Sequence, residues 1–205
     1  AHIPRKQCSK CDALSPSGFS GSRWNIWYNE LLMIICMVVK YALRILGIDP
    51  GYAIVGFGVV EYDGYKFIPV HFGAITTEAG TDFNIRLKTI FDDMNTVIDR
   101  FDPDAMAIEK LFFNTNQKTG IDVAQARGVT LLAAINAGIP ISEYTPLQVK
   151  QSVVGYGRAE KPQVMEMTRK ILGLAAVPRP DDTADALAIA ICHGHSSRGI
   201  HIPKN

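Results

Sequence analysis

RILGIDPGYAIVGFGVVEYDGYKFIPVHFGAITT, residues 44 to 77, decides the fold class of this 205-residue chain. Arg44 to Asp49 is a short apolar run of strand character, and Pro50-Gly51 breaks it. Ala53 to Tyr62 is rich in Val, Ile and Phe, with Gly56 and Gly58 interleaved. Asp63-Gly64 is a hairpin signal, after which Tyr65 to Thr77 returns as a third strand. Three strands joined by tight turns predict an antiparallel meander.

Beyond the meander the period changes. Leu87, Ile90, Phe91, Met94, Val97, Ile98 and Phe101 recur at spacings of three and four, which is the stripe of an amphipathic helix beginning near Asp82. Pro103 stops it, and Ala105 to Leu111 reads as a fourth strand. A second helix is expected over Gly120 to Asn136 with Gly138 as its cap, and a fifth strand over Ile139 to Tyr144. Thr145-Pro146-Leu147-Gln148 combines a capping box with proline at the first helical position. A further helix runs from Glu160 to Leu172 and stops at Gly173, and Asp181 or Asp182 opens the last one. The order βββ-α-β-α-β-α-α-α predicts an α/β fold with one five-stranded mixed sheet, flanked by helices. Right-handed crossovers would put the ends of strands one and four on the same edge.

That edge carries chemistry. Asp49 ends the first strand, Glu109 follows the apolar Ala-Met-Ala-Ile of the fourth, and Asp182 and Asp185 lie one turn apart at the start of the last helix. Taken singly, Asp49 before Pro-Gly has a second reading as a turn residue, and Asp182 as a helix N-cap. Glu is a poor strand residue, and Asp185 sits in an Ala-rich apolar face, so those two resist a structural reading. Burying charge without a partner is costly, so four such carboxylates call for cations. An all-oxygen donor set suits Mg²⁺ or Mn²⁺, and hence phosphoryl chemistry.

The formal net charge of +1 conceals an uneven distribution. Residues 78 to 104 carry seven acids against three bases, while 110 to 170 carry eight bases against four acids. The second stretch leaves room for a polyanion-facing side, and equally for solvated helix faces. Cys8 and Cys11 form a lone C-x-x-C with no second pair at zinc spacing, while Cys36 and Cys192 lie far away in apolar surroundings. His193 and His195 read as terminal or surface groups. Residues 1 to 40 lack clear periodicity, and their apolar run Leu31 to Val39 falls well short of the roughly 20 residues that span a membrane. No cleavage site follows it, so the expected compartment is the cytoplasm.

The chain resembles the RuvC family of Holliday-junction resolvases, members of the ribonuclease H-like superfamily. The resemblance covers Leu43 to Ser196. It rests on GIDPG with the following GFGVV, IE-x-x-F around Glu109, QARGV at 125 to 129, QVKQSVVG-x-G-x-AEK at 148 to 161, and DD-x-ADALAIAI-x-H at the end. It implies a ribonuclease H-like fold and a structure-specific endonuclease that resolves four-way DNA junctions in recombination and repair. It also implies a catalytic, metal-binding set of Asp49, Glu109, Asp182 and Asp185 holding two Mg²⁺ per subunit, with Mn²⁺ able to substitute. Phe112 would stack on an unpaired base near the branch point, with Lys150, Arg158 and Lys161 along the DNA phosphates. A homodimer is implied, as is partnership with the RuvA–RuvB branch-migration complex, and no membrane association. Family members begin just before the first strand, so residues 1 to 40 are expected to be an extraneous or disordered extension and 41 to 205 the nuclease domain. The alternative is a related ribonuclease H-like nuclease acting on RNA or RNA–DNA hybrid. An actin-like ATPase also opens on a strand, D-x-G and a hairpin, but needs a second domain for which the chain has no room. A catalytically silent junction-binding protein is disfavoured by the intact carboxylates.

Overall fold

The structure, a computed structural model, describes residues 42 to 111 and 117 to 197, and over 117 to 119 only the helical backbone. Its strands are β1 (Leu43–Asp49), β2 (Ile54–Tyr62), β3 (Phe67–Thr76), β4 (Ala105–Glu109) and β5 (Ile141–Tyr144). Its helices are α1 (Phe83–Phe101), α2 (Gln117–Asn136), α3 (Pro146–Val154), α4 (Lys161–Ile171) and α5 (Asp181–Ser196). The sheet has the order β3-β2-β1-β4-β5. β1 pairs antiparallel with β2 and parallel with β4, so the meander and the α/β half share one central strand.

Local signals account for the ends of these elements. The Asp82 carboxylate accepts from the Asn84 and Ile85 amides and starts α1. Thr145 and Gln148 form the expected reciprocal capping box on α3, with bonds of 3.2 and 2.8 Å. Strand β4 stops at Glu109, two residues earlier than its apolar run suggests, because the ladder to β5 ends at the Glu109–Tyr144 pair.

Side chains alternate across the sheet, and this alternation aims the acids. Leu46 and Ile48 of β1, with Met106 and Ile108 of β4, pack into a core with Ile90 and Met94 of α1 and Ala126, Ala133 and Ala134 of α2. Ile45 and Ala107 face the other way, into a second core with Leu187 and Ile191 of α5, Val149 and Val153 of α3, and Val164 of α4. Counting on by two from Ile45 and Ala107 reaches Asp49 and Glu109. The parallel register pairs Ile48 with Ile108, so each acid is one residue past that last pair, and the two stand side by side.

Helix α5 lies unusually close to the sheet because glycine lines the strands beneath it. A Cβ at Gly47 would overlap the Ala186 carbonyl oxygen and come within 2.8 Å of Ala190 Cβ. One at Gly56 would overlap the Asp182 carbonyl oxygen, and one at Gly58 would reach 2.6 Å from Leu187 Cδ2. The Thr183 hydroxyl donates to the Gly73 carbonyl at 3.0 Å and pins the first turn of α5 to β3. Gly47→Ala and Gly56→Ala are each expected to cost about 3 kcal/mol in urea unfolding, the upper end of ordinary overpacking, because backbone atoms oppose the new methyl. Losses below about 1 kcal/mol would show that α5 can lift without penalty.

Candidate active site

Three chain segments meet at the strand-end edge below the N-terminus of α5. Asp49 and Glu109 arrive on β1 and β4, and Asp182 and Asp185 on the first two turns of α5. The Pro180 backbone, not Asp182, occupies the N-cap of α5, so Asp182 makes no cap bond and its capping reading fails. Acidic groups at a helix N-terminus are favoured by the helix dipole, which offsets part of their mutual repulsion.

The electrostatics are those of a crowded, largely buried acid cluster. Burial foremost, and then the charges of Glu109, Asp185 and Asp182, push the Asp49 carboxyl up to about 8. Glu109 is raised by burial and by Asp185, against the pull of the Asp49 side chain and of Lys161. Asp185 is raised by burial, against the pull of Lys161. Lys161 Nζ lies 2.8 Å from Asp185 and 3.7 Å from Asp181, and its own pKa is raised chiefly by the Asp185 bond. Asp181 also pairs with Arg179, so it belongs to the rim.

An oxygen-only donor set of four carboxylates fits a hard divalent cation. Among the described residues no three His, Cys, Asp or Glu side chains are already drawn into a cation cage. The ammonium of Lys161 is the cation that Asp185 meets. A shallow cleft of about 220 Å³, lined by Gly51, Tyr52, Ala53, Ile54, Val123 and Asp182, opens beside the cluster.

The remaining sequence-derived residues divide. Lys150 is half-buried on α3 and Arg158 is exposed in the α3–α4 connection, and among the described residues neither pairs with an acid. Phe112 lies outside the described residues, as do Cys8, Cys11 and Cys36. Cys192 is a free, buried thiol. His193 and His195 are not surface groups. His193 Nδ1 is 2.9 Å from the Tyr144 hydroxyl and His195 Nδ1 is 3.0 Å from the Ser152 hydroxyl, which ties α5 to β5 and α3. Sequence reading also missed Arg127, whose guanidinium reaches the Glu109 main chain. Its place in QARGV flagged the residue, but its partners lie on strands that spacing cannot reveal.

A ribonuclease H-like sheet with clustered carboxylates at the strand ends defines a class of nuclease scaffold. The family profile described as "Crossover junction endodeoxyribonuclease RuvC" matches residues 45–193. A protein of that description from Ruminiclostridium cellulolyticum is 58% identical over 154 residues, 75% of this chain and 93% of its own. Another from Brevibacillus brevis is 58% identical over 162 residues, 79% and 98% of the two chains. The solved structure of Thermus thermophilus RuvC in complex with a Holliday junction substrate superposes with a TM-score of 0.73 at 39% identity, covering 76% of this chain and 95% of that one. The chain belongs to the RuvC family of crossover junction endodeoxyribonucleases, which are metal-dependent nucleases.

The raised acids set the pH response of the metal-free protein. A carboxyl whose folded pKa exceeds its unfolded one holds a proton that the unfolded chain has already lost, so stability falls as pH rises between the two values. For Asp49 that window runs from 3.8 to about 8, and Glu109 and Asp185 act with the same sign. In EDTA the melting temperature is expected to fall steadily from pH 5 to pH 8, and Asp49→Asn should flatten that slope. A slope unchanged in Asp49→Asn would mean that Asp49 ionises normally.

Proposed function

We propose that the chain resolves four-way DNA junctions in recombination and repair, by symmetric Mg²⁺-dependent hydrolysis of phosphodiesters. The observation that carries this reading is the convergence of Asp49, Glu109, Asp182 and Asp185 from three segments onto one edge, with Asp49 raised to about 8. A cluster built against its own repulsion stores a demand for cations. The junction-bound Thermus thermophilus relative supports the substrate assignment.

The four carboxylates would hold two Mg²⁺, with Mn²⁺ as a substitute. Bound there, such ions would supply the chemistry that activates a water and stabilises the leaving 3′ oxygen. The protein's part is positional. Asp49 and Glu109, both held above the usual carboxylate range, would have to be ionised to hold metal, so affinity for metal would rise with pH. Lys161 leaves Asp185 for a backbone phosphate, and Lys150 and Arg158 contact phosphates without reading sequence. Phe112, three residues past Glu109, stacks on an unpaired base near the branch point.

A four-way junction has two-fold symmetry, which a symmetric dimer matches. Helix α2 carries the surface for it. Ala126, Thr130, Ala133 and Ala134 are buried toward α1 and the sheet, whereas Ile121, Leu132 and Ile135 are exposed on the other side. Gly128 falls on that outer stripe and leaves open space, so a second helix can approach closely. Burial within one subunit and pairing with a second are therefore two faces of one helix. The RuvA–RuvB complex is the expected partner and the cytoplasm the expected compartment. Among the described residues, no helix is long and apolar enough to cross a membrane.

One assay tests the reading. Synthetic four-way junction, linear duplex and RNA–DNA hybrid are incubated with protein and Mg²⁺, and products are sized on a denaturing gel. Paired cuts are expected in the junction alone. Asp185→Asn and Glu109→Gln should lower the rate at least about a thousandfold while keeping, or tightening, junction binding in EDTA, because repulsion of the phosphate is relieved. Leu132→Glu should give monomers and single nicks. Preferred cleavage of the hybrid would move the chain to another ribonuclease H-like activity, and wild-type rates in either isostere would remove that residue from the ligand set.

A further inference from the structure

The Arg127 guanidinium lies in the QARGV segment of α2, a motif that neither the carboxylate cluster nor the phosphate contacts account for. Its side chain is only 13% exposed. Nη2 pairs with the Glu143 carboxylate on β5, and Nε donates to the main-chain oxygen of Glu109 at 3.4 Å. One planar fork thus bridges α2, the edge strand β5 and the last residue of β4.

Glu109 needs such support. It lies beyond the last pair of β4 with β1, which is Ile48–Ile108, so on that side its ladder has ended. On the other side β5 still holds it, through the Glu109–Tyr144 pair and the bond from the Lys110 amide to the Tyr144 oxygen at 2.8 Å. β5 is itself a four-residue edge strand, and among the described residues no strand pairs beyond it. Arg127 grips both members of this weak end at once, and the fixed geometry of a guanidinium lets one side chain do so.

From this arrangement we propose that Arg127, oriented by Glu143, is a positioning residue for the carboxylate of Glu109. It acts on the main chain of that ligand and touches neither metal nor DNA. A role as a phosphate contact is disfavoured by its burial and by the acid that already neutralises it. Supporting interactions around a metal ligand commonly change metal affinity by 10–100-fold when removed. The proposal rests on the reading that the four carboxylates bind Mg²⁺, and the experiment separates the two.

Arg127→Leu, Glu143→Gln and the double variant are compared with wild type and Asp185→Asn in three measurements. These are the Mg²⁺-induced rise in melting temperature of the DNA-free protein, the Mg²⁺ concentration giving half-maximal junction cleavage, and the salt dependence of junction binding in EDTA. Arg127→Leu should raise the half-maximal Mg²⁺ roughly tenfold and shrink the Mg²⁺-induced melting shift, while binding in EDTA and its salt slope stay as in wild type. Glu143→Gln should move both metal readouts the same way by less, and the double variant should be no worse than Arg127→Leu, because Glu143 acts through Arg127. Unchanged metal readouts in Arg127→Leu, with only the melting temperature lowered, would overturn the proposal in favour of a purely structural pair. A salt slope reduced by about one would overturn it in favour of a DNA contact. Should Arg127→Leu fail to fold, Glu143→Gln decides alone: a wild-type Mg²⁺ requirement there overturns the proposal. If wild type itself shows no Mg²⁺ response, the metal reading fails and the proposal falls with it; a responsive wild type and an indifferent Arg127→Leu sink the proposal alone.

Discussion

The architecture depends on how closely α5 can lie on β1 and β2. Ordinary side chains on both surfaces would hold helix and sheet further apart. Here Gly47 meets Ala186 and Ala190, Gly56 meets Asp182 and Gly58 meets Leu187, and the two backbones nearly touch. The contact at Gly56 is with Asp182 itself, so the packing that seats the helix also sets the height of one carboxylate of the cluster above the strand ends. Thr183 then fixes the rotation of that turn through its bond to the Gly73 oxygen. Stability and site geometry therefore share the same atoms, and a change in one cannot leave the other alone.

Electrostatics pull in the opposite direction. Desolvation and like charge both disfavour ionised Asp49, Glu109 and Asp185, and within the described residues the opposing charge at the cluster is that of Lys161. The two apolar cores hold the acids in place, since the acids themselves repel. A site in this condition is tolerated only because the packing around it over-determines its geometry, and loading cations relieves the repulsion that the packing resists. The position of Lys161 follows from the start of α4, where the Glu160 amide donates to the Gln163 side chain at 2.9 Å and residue 161 is delivered to the face of Asp185.

Much of this was legible in the sequence because local rules and global fold agree in these segments. The meander could be read from Pro50-Gly51 and Asp63-Gly64, α1 from its three-four spacing, and α3 from Thr145 and Gln148. The convergence of Asp49 and Glu109 followed from strand ends plus the handedness of crossovers. What stayed hidden depends on contacts between distant segments. The end of β4 is set by its ladder with β5, so the apolar run to Leu111 overstated the strand. His193 and His195 sit in the last turn of a helix, a place usually solvated, and only the tertiary partners Tyr144 and Ser152 take them inside. Lys161 was read as a phosphate contact from its motif, and its bond to Asp185 needed the α4–α5 packing to be seen.

Helix α2 was the hardest element to interpret, and the reason is physical. Its apolar residues are spread around the axis, with one face buried toward α1 and the sheet and another exposed. Ala126, Ala133 and Ala134 serve the first face, and Ile121, Leu132 and Ile135 stand on the second. Arg127 projects from the same helix to Glu109 and Glu143. A helix that packs into the core and holds Arg127 cannot shift to improve one contact without disturbing the other. If two subunits pair through its outer stripe, any strain at that interface reaches the end of β4 through a single side chain. The physical warrant for such coupling would be one element whose position both sites bias, and α2 is the element that touches both.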